Sequence, residues 1–109
     1  MLPKKKRVTK KVFDVLMKEG KTFSTQLFLF YFKSQDFPQY AFVAPKKSFK
    51  NAVKRNKFRR IGYNILRKLP INKGIGVFIY KKQALIAKNE EIEENIIYIL
   101  EKTIFYHKI

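Results

Sequence analysis

Residues 46–68 combine a dense positive charge with the apolar spacing of an amphipathic helix. The segment carries ten Lys or Arg residues and no Asp or Glu, and no acidic residue occurs between Asp36 and Glu90. Solvated helix faces normally mix the two signs, because opposite charges four residues apart attract each other and like charges repel. A helix that tolerates this repulsion is expected to face a polyanion, so the segment indicates nucleic-acid binding.

The same segment predicts a helix from about Asn51 to Leu69, ended by Pro70, which cannot continue it. At 100° per residue an apolar seam forms along one side of this helix. The seam consists of Phe58, Ile61, Ile65 and Leu69. The opposite side is expected to be cationic and to carry Arg55, Asn56, Arg59, Arg60, Tyr63 and Arg67. The seam would pack on a sheet and leave the cationic side exposed.

Composition places this helix in a folded domain. The 109 residues fit one domain, with residues 1–8 as a basic N-terminal arm, and 46% of them are apolar despite a formal net charge of +17. A disordered basic tail would lack the many aromatic residues found here. Cysteine is absent, and no apolar run approaches the roughly 20 residues that span a bilayer. We therefore expect a soluble, cytoplasmic protein without a membrane partner.

The remaining pattern predicts an α+β domain with one mixed sheet of about four strands. A helix is expected from the hydroxyl residue Thr9 to Gly20, since these residue types favour helix starts and ends. The expected strands are Gln26 to Phe32, Gln39 to Ala44 and Ile75 to Tyr80, with an extra short strand near Lys21 to Ser24. A polar link, Lys81 to Lys88, leads to a last helix, about Asn89 to His107, with Ile92, Ile96, Ile99 and Thr103 on one side. The predicted order of elements is α-β-β-α-β-α. If the short strand near Lys21 to Ser24 forms, one further β follows the first helix.

The aromatic residues divide into expected core and expected surface. In the first long strand, alternation predicts Leu27, Leu29 and Tyr31 on one face and Phe28 and Phe30 on the other. Core positions are predicted for Phe28, Phe30, Phe42 and Phe78. Because their hydroxyls favour water, Tyr31, Tyr40 and Tyr80 are instead the candidates for a partly wet surface on which unpaired bases stack.

A self-sufficient enzyme is not indicated by the residues available. The single histidine, His107, lies near the C-terminus, and Asp14 and Asp36 follow no metal-ligand spacing. The acidic cluster Glu90 to Glu94 is best explained as complementing the helix dipole. A two-metal phosphodiesterase needs several carboxylates converging on one site, and no acid accompanies the basic helix. No catalytic residue and no metal site of the protein alone is therefore predicted.

A specific motif lies within the basic segment. Lys46-Lys47 is followed by Asn51-Ala52-Val53-Lys54-Arg55-Asn56-Lys57-Phe58-Arg59-Arg60. This resembles the signature of the protein subunit of bacterial ribonuclease P, approximately Lys-Lys, a short gap, then Asn-Ala-Val-x-Arg-Asn-x-x-Lys-Arg. The resemblance extends over essentially the whole chain. The chain departs from the pattern at Pro45, at Lys57, at Tyr63-Asn64 and by one extra residue before Asn51.

The resemblance implies a noncatalytic partner of a catalytic RNA, together releasing the 5′ leader from precursor tRNA. The RNA subunit would be bound by Lys54, Arg55, Asn56, Lys57, Arg59, Arg60 and Arg67. A cleft for the single-stranded leader would be formed by Phe13, Met17, Tyr31, Lys46, Lys47, Lys81 and Tyr106. The resemblance also implies Mg²⁺ held mainly by the RNA, one protein monomer per RNA, and a left-handed β-α-β crossover around the basic helix.

Two other classes of function remain open from the residues. A ribosomal protein or RNA chaperone would share the same α+β architecture and charge. An autonomous nuclease would instead cleave RNA without an RNA partner and would depend on a carboxylate. Only the ribonuclease P subunit is expected to stimulate 5′ processing of precursor tRNA by a catalytic RNA at low Mg²⁺.

Overall fold

The computed structural model describes residues 10–69 and 73–103, which form three α-helices, four strands and one short 3-10 helix. In chain order the helices and strands are α1 (Lys10–Glu19), β1 (Lys21–Ser24), β2 (Phe28–Lys33), β3 (Pro38–Val43), α2 (Ala52–Arg67), β4 (Gly74–Tyr80), the 3-10 helix (Lys82–Ile86) and α3 (Asn89–Lys102). Both the α+β class and the predicted element order, with the extra short strand, are confirmed.

The four strands form one mixed sheet in the order β1-β2-β4-β3. β1 pairs antiparallel with β2 and β2 antiparallel with β4, whereas β3 and β4 are parallel. Parallel neighbours need a crossover connection, and here α2 supplies it. The hand of this crossover stays a prediction. Because β3 and β4 are parallel neighbours, their carboxyl ends lie at the same edge of the sheet.

One face of the sheet is packed tightly against α2 and α3. Along the paired strands this face presents Phe30, Phe78 and Phe42 side by side, and the Phe42 and Phe78 rings stack with centroids 4.6 Å apart. From α2 the core receives Phe58 and the fully buried Leu66, whereas the other members of the predicted seam are only partly buried, so the buried side of α2 is displaced from that seam. These partly buried members are Ile61, Ile65 and Leu69. The fully buried residues of α3 are Ile92, Ile96, Ile99 and Leu100. The main core is therefore an aromatic layer between the sheet and two helices.

Of the helices in the described part of the chain, α1 is the one that packs on the other sheet face. Leu16 of α1 is fully buried and clusters with Ile75 and Val77 of β4. Val12 and Phe13 pack against this small cluster. These contacts direct the apolar side of α1 onto the sheet. Within the described ranges this ten-residue helix covers only part of the four-stranded surface.

Some element boundaries and orientations differ from the predictions. β2 begins at Phe28, so Leu27 lies before the strand and joins the main core with Phe28 and Phe30; its predicted orientation with Leu29 and Tyr31 is wrong. α2 ends at Arg67, where the backbone N–H of Lys68 donates to the Ile65 carbonyl and that of Leu69 to the Leu66 carbonyl, each at 3.1 Å. The expected polar link contains the 3-10 helix, in which Ala84 is buried.

Several predicted features lie outside the described residues. These are the basic arm of residues 1–8, the proposed N-cap Thr9, Pro70, Tyr106 and His107. Within the part of the chain that is described, no helix has the length and apolar character needed to cross a membrane.

Candidate nucleic-acid interface

The cationic side of α2 is exposed along its whole length. The exposed residues of the predicted RNA-binding set are Lys54, Asn56, Lys57, Arg59, Arg60 and Arg67. None of the salt bridges found among the described residues involves α2, and the nearest acidic residues in sequence remain Asp36 and Glu90. The structure therefore brings six of the seven predicted residues to one solvent-exposed, uncompensated positive surface.

A groove of about 560 Å³ runs beside this helix, between α2 and the edge strand β3. We call it the arginine groove, and it is lined by Phe42, Asn56, Arg59, Arg60, Tyr63, Asn64 and Arg67. Arg59 donates to the Asn56 side-chain oxygen, and Arg67 donates to the Asn64 side-chain oxygen. Since both amide oxygens are used, the rim presents guanidinium and amide N–H donors. Donors with positive charge suit the acceptor oxygens of phosphate.

Tyr63 does not lie on the cationic side as predicted. It is only 8% exposed, and its hydroxyl accepts a hydrogen bond from the backbone N–H of Phe42 at 3.2 Å. The cause is the neighbouring Gly62, which has no side chain and lets α2 approach the Phe42 ring closely. This close approach turns Tyr63 toward β3, where it satisfies a donor of the edge strand.

α2 begins at a side-chain cap. Asn51 has extended backbone angles, and its side-chain oxygen accepts the backbone N–H groups of Val53 at 2.8 Å and Lys54 at 3.4 Å. These are donors that a helix start leaves without a partner inside the helix. The cap thus determines where the cationic helix begins relative to the preceding loop.

Replacing Asn51 by Ala is expected to lower the free energy of unfolding by about 1 kcal/mol, because two N–H groups lose their acceptor. Asn51→Ser, which retains a capping oxygen, is the matched control and should lie close to the native protein. Urea unfolding of the three proteins measures the difference. Equal stabilities of Asn51→Ala and the native chain would contradict the role of the cap.

Arg55 differs from the other predicted RNA-binding residues. It is only partly exposed, and its Nη1 donates to the carbonyl oxygens of Phe49 at 2.8 Å and Lys50 at 3.1 Å. Its guanidinium is therefore engaged by the loop that precedes α2. The motif gave no indication of this, because in the sequence Arg55 is one of several basic residues on the same helix.

An incompletely covered apolar surface lies on the α1 side of the sheet. We call this surface the open sheet face. The pairing of the strands places its residues in two rows across the sheet. Its partly exposed members are Leu29, Tyr31, Ala41, Val43 and Ile79. Phe13 of α1, partly exposed, packs in the same cluster as Tyr31. Two of the predicted cleft residues are thus brought together, while Met17 is a partly exposed residue of the same helix.

The predicted cleft lysines follow strands that end at one edge of the sheet. Lys46 and Lys47 follow β3, and Lys81 follows β4, at the shared carboxyl edge of the two parallel strands. Lys46 and Lys47 are exposed. Lys81 is partly buried, and its ammonium donates to the Thr25 carbonyl at 2.6 Å and to the Ser24 hydroxyl. It therefore ties the β1–β2 connection to the end of β4.

Two tyrosines predicted at a wet surface are core residues instead. Tyr40 and Tyr80 are each 1% exposed, and the Tyr80 hydroxyl donates to the Phe58 carbonyl at 2.6 Å. Burial raises the pKa of both phenols well above the usual range. The prediction failed because a tyrosine hydroxyl can be satisfied inside a core by a carbonyl from another element. Of the three, Tyr31 alone keeps a partly exposed position.

Acidic residues do not form a catalytic cluster in the part of the chain that the structure covers. No three His, Asp or Glu side chains among these residues lie close enough to hold a metal ion together. Glu19 pairs with Lys33 at 2.9 Å, which lowers the pKa of the Glu19 carboxyl through a hydrogen bond and the neighbouring charge. Glu91 accepts the backbone N–H of Lys88 at the start of α3.

Comparison with solved structures identifies the same fold elsewhere. The ribonuclease P protein of Staphylococcus aureus superimposes with a TM-score of 0.82 at 20% identity, over 94% of this chain and 98% of that one. The ribonuclease P protein of Thermotoga maritima gives a TM-score of 0.74 at 23% identity, over 83% and 89% of the two chains. Among curated protein sequences no relative matches significantly.

Comparison with protein families gives a match over nearly the full length. The family model described as Ribonuclease P covers residues 2–104, which include the cationic helix, the open sheet face and the lysines at its edge. The resemblance drawn from the motif around Asn51 is thereby confirmed, and this chain belongs to the Ribonuclease P protein family.

Proposed function

We propose that this chain is the protein subunit of a bacterial ribonuclease P and promotes removal of the 5′ leader from precursor tRNA. In this role α2 binds the catalytic RNA, and the open sheet face holds the single-stranded leader. The observation that carries the proposal is the combination of two surfaces in one small domain. One is a helix face rich in donors and free of acids; the other is an apolar sheet face bordered by lysines.

The two surfaces suit two different kinds of RNA. Exposed arginines and lysines on a rigid helix contact phosphates of a structured RNA largely independently of sequence. Phe13 and Tyr31 offer partly exposed rings on which unpaired bases can stack, while Lys46 and Lys47 supply charge for the backbone of a single strand. Lys81, tied to Thr25, would shape the cleft edge more than it contacts the leader.

The chemistry would be carried out by the RNA subunit. Hydrolysis of a phosphodiester by metal ions requires ligands that converge on the metals, and the RNA phosphates would hold Mg²⁺ for this purpose. The protein would contribute affinity for the substrate and reduce repulsion between two RNA polyanions. One protein monomer per RNA, acting in the cytoplasm, completes the proposal.

Single-turnover cleavage of a precursor tRNA at low Mg²⁺ tests the proposal. A bacterial ribonuclease P RNA is assayed alone, with this protein, and with the protein heated to unfold it as a control; the protein is also assayed without the RNA. We expect the native protein to restore cleavage at the mature 5′ end and the protein without RNA to leave the substrate intact. Tight RNA binding without restored cleavage would favour a general RNA-binding module, and cleavage by the protein alone would favour a nuclease.

A further inference from the structure

The loop between β3 and α2 is anchored at its second half and carries Lys46 and Lys47 in its first half. The backbone N–H of Phe49 donates to the Pro45 carbonyl at 2.8 Å, closing one turn around Lys46 and Lys47. The Phe49 side chain is fully buried, with its ring centroid 5.0 Å from that of Phe58. The loop is therefore a compact turn fastened to the core by one aromatic ring.

Arg55 fastens the backbone of the same loop to α2. Its Nη1 bridges the carbonyls of Phe49 and Lys50, and its own backbone N–H donates to the Asn51 carbonyl at 3.0 Å. Hydrogen bonds from a charged donor are stronger than those between neutral groups. Arg59, one turn further along the helix, is exposed and bonds within α2 to Asn56. Two arginines of the same motif thus have different partners and different exposure.

We propose that Arg55 is a positioning residue, which holds Lys46 and Lys47 at the edge of the open sheet face for contact with the leader phosphates. This inference rests on the proposed function of that face. Arg55 lies on the helix that binds the RNA subunit. Its role under this inference is instead to support leader binding, by orienting the loop that carries the two lysines. Without Arg55, the loop keeps the buried Phe49 ring as its anchor. It loses the two hydrogen bonds from the guanidinium to its backbone carbonyls, which orient the loop.

The experiment compares the affinity of the holoenzyme for precursor tRNA with its affinity for the same tRNA lacking a leader. The ratio of the two affinities is the leader contribution. We expect Arg55→Ala to lower this ratio about fivefold, the loss expected when one or two exposed charge contacts are misplaced. Arg59→Ala, the matched removal of one arginine from α2, should lower affinity for the RNA subunit and leave the ratio as in the native complex.

A double-mutant cycle separates positioning from direct contact. If Arg55 acts only through the lysines, then adding Arg55→Ala to Lys46→Ala/Lys47→Ala causes no further fall in the ratio. The inference would be overturned if the fall in the ratio caused by Arg55→Ala multiplied with the fall caused by Lys46→Ala/Lys47→Ala. It would also be overturned if the Arg55→Ala holoenzyme kept the native ratio. Arg55→Lys preserves the charge, but its ammonium ends one bond short of the position of Nη1. It should restore the salt dependence of RNA binding without restoring the ratio, and full recovery of the ratio would overturn the geometric role.

Folding and function are controlled separately. Thermal unfolding of each variant reports whether the domain is intact, and if Arg55→Ala does not fold, Arg55→Lys is carried through the same cycle. A native holoenzyme whose affinity is the same with and without a leader would contradict the proposed function of the open sheet face. A native holoenzyme that shows the leader contribution, with Arg55 variants that retain it, would contradict only the positioning role.

Discussion

Replacing Arg59 and Arg60 together by Gln is expected to weaken binding to a ribonuclease P RNA about 15- to 30-fold at about 0.15 M salt. Each phosphate contact contributes about 0.7–0.9 to the slope of log affinity against log salt, so two lost contacts lower affinity by this factor. Both side chains are exposed on the same side of α2, and both line the arginine groove. Glutamine keeps an uncharged amide donor but is two bonds shorter than arginine, so the change removes both the charge and the reach to phosphate.

The matched control removes two charges from another surface. Lys18 and Lys21 are exposed on α1 and β1, away from α2, and Lys18→Gln/Lys21→Gln lowers the formal net charge of +17 by the same amount. Affinities are measured by titration at several salt concentrations. The arginine variant should lose between one and two units of slope, and the lysine variant clearly less. Equal losses in both variants would mean that net charge, not the α2 surface, governs RNA binding.

Replacing Gly62 by Ala is expected to lower the free energy of unfolding by about 2 kcal/mol, although alanine is the better helix former. A β-carbon at this position would lie 2.4–2.7 Å from atoms of the Phe42 ring. That ring is stacked on Phe78 and packed edge-on against Tyr63 at 5.1 Å, so it has little room to move. Overpacking of this kind costs about 1–3 kcal/mol or more, which exceeds the gain of about 1 kcal/mol in helix propensity.

Two further variants test this reasoning. Val53→Ala changes a 76% exposed helical residue and should alter stability by less than about 0.5 kcal/mol. Phe42→Leu combined with Gly62→Ala provides space for the new methyl group, so the double variant should be more stable than the sum of the two single effects. Urea unfolding is measured for the native protein, the three single variants and the double variant. A Gly62→Ala protein that is as stable as the native chain would show that the helix can move away from β3 at little cost.

Local patterns were sufficient to predict the elements and the surface charge. The periodicity of Phe58, Ile61 and Ile65 predicted α2, and aromatic runs bounded by turn residues predicted the strands. The run of basic residues without acids predicted an exposed cationic helix, and six of its seven candidate residues are exposed. These features depend on neighbours within a few positions, so the order of residues along the chain carries them.

Contacts between distant segments decided what local patterns could not. The parallel pairing of β3 with β4 places the residues that follow these strands, Lys46, Lys47 and Lys81, at one edge of the sheet. Tyr63 meets Phe42 across 21 positions and Tyr80 meets Phe58 across 22, and both hydroxyls are thereby satisfied in the core. A polar side chain is buried or exposed according to whether such a partner exists, and no local pattern records it.

What the amino-acid sequence determined by itself was the family, the α+β elements and the presence of one uncompensated positive helix. Only the tertiary structure decided which charged groups of that helix are available to a ligand. Arg55 and Arg59 are four residues apart and chemically identical, yet the first is bound to the loop carbonyls of Phe49 and Lys50 and the second lines an open groove. The difference arises because Phe49 is held in the core by Phe58 and Tyr80, which brings the loop backbone within reach of one arginine and not the other.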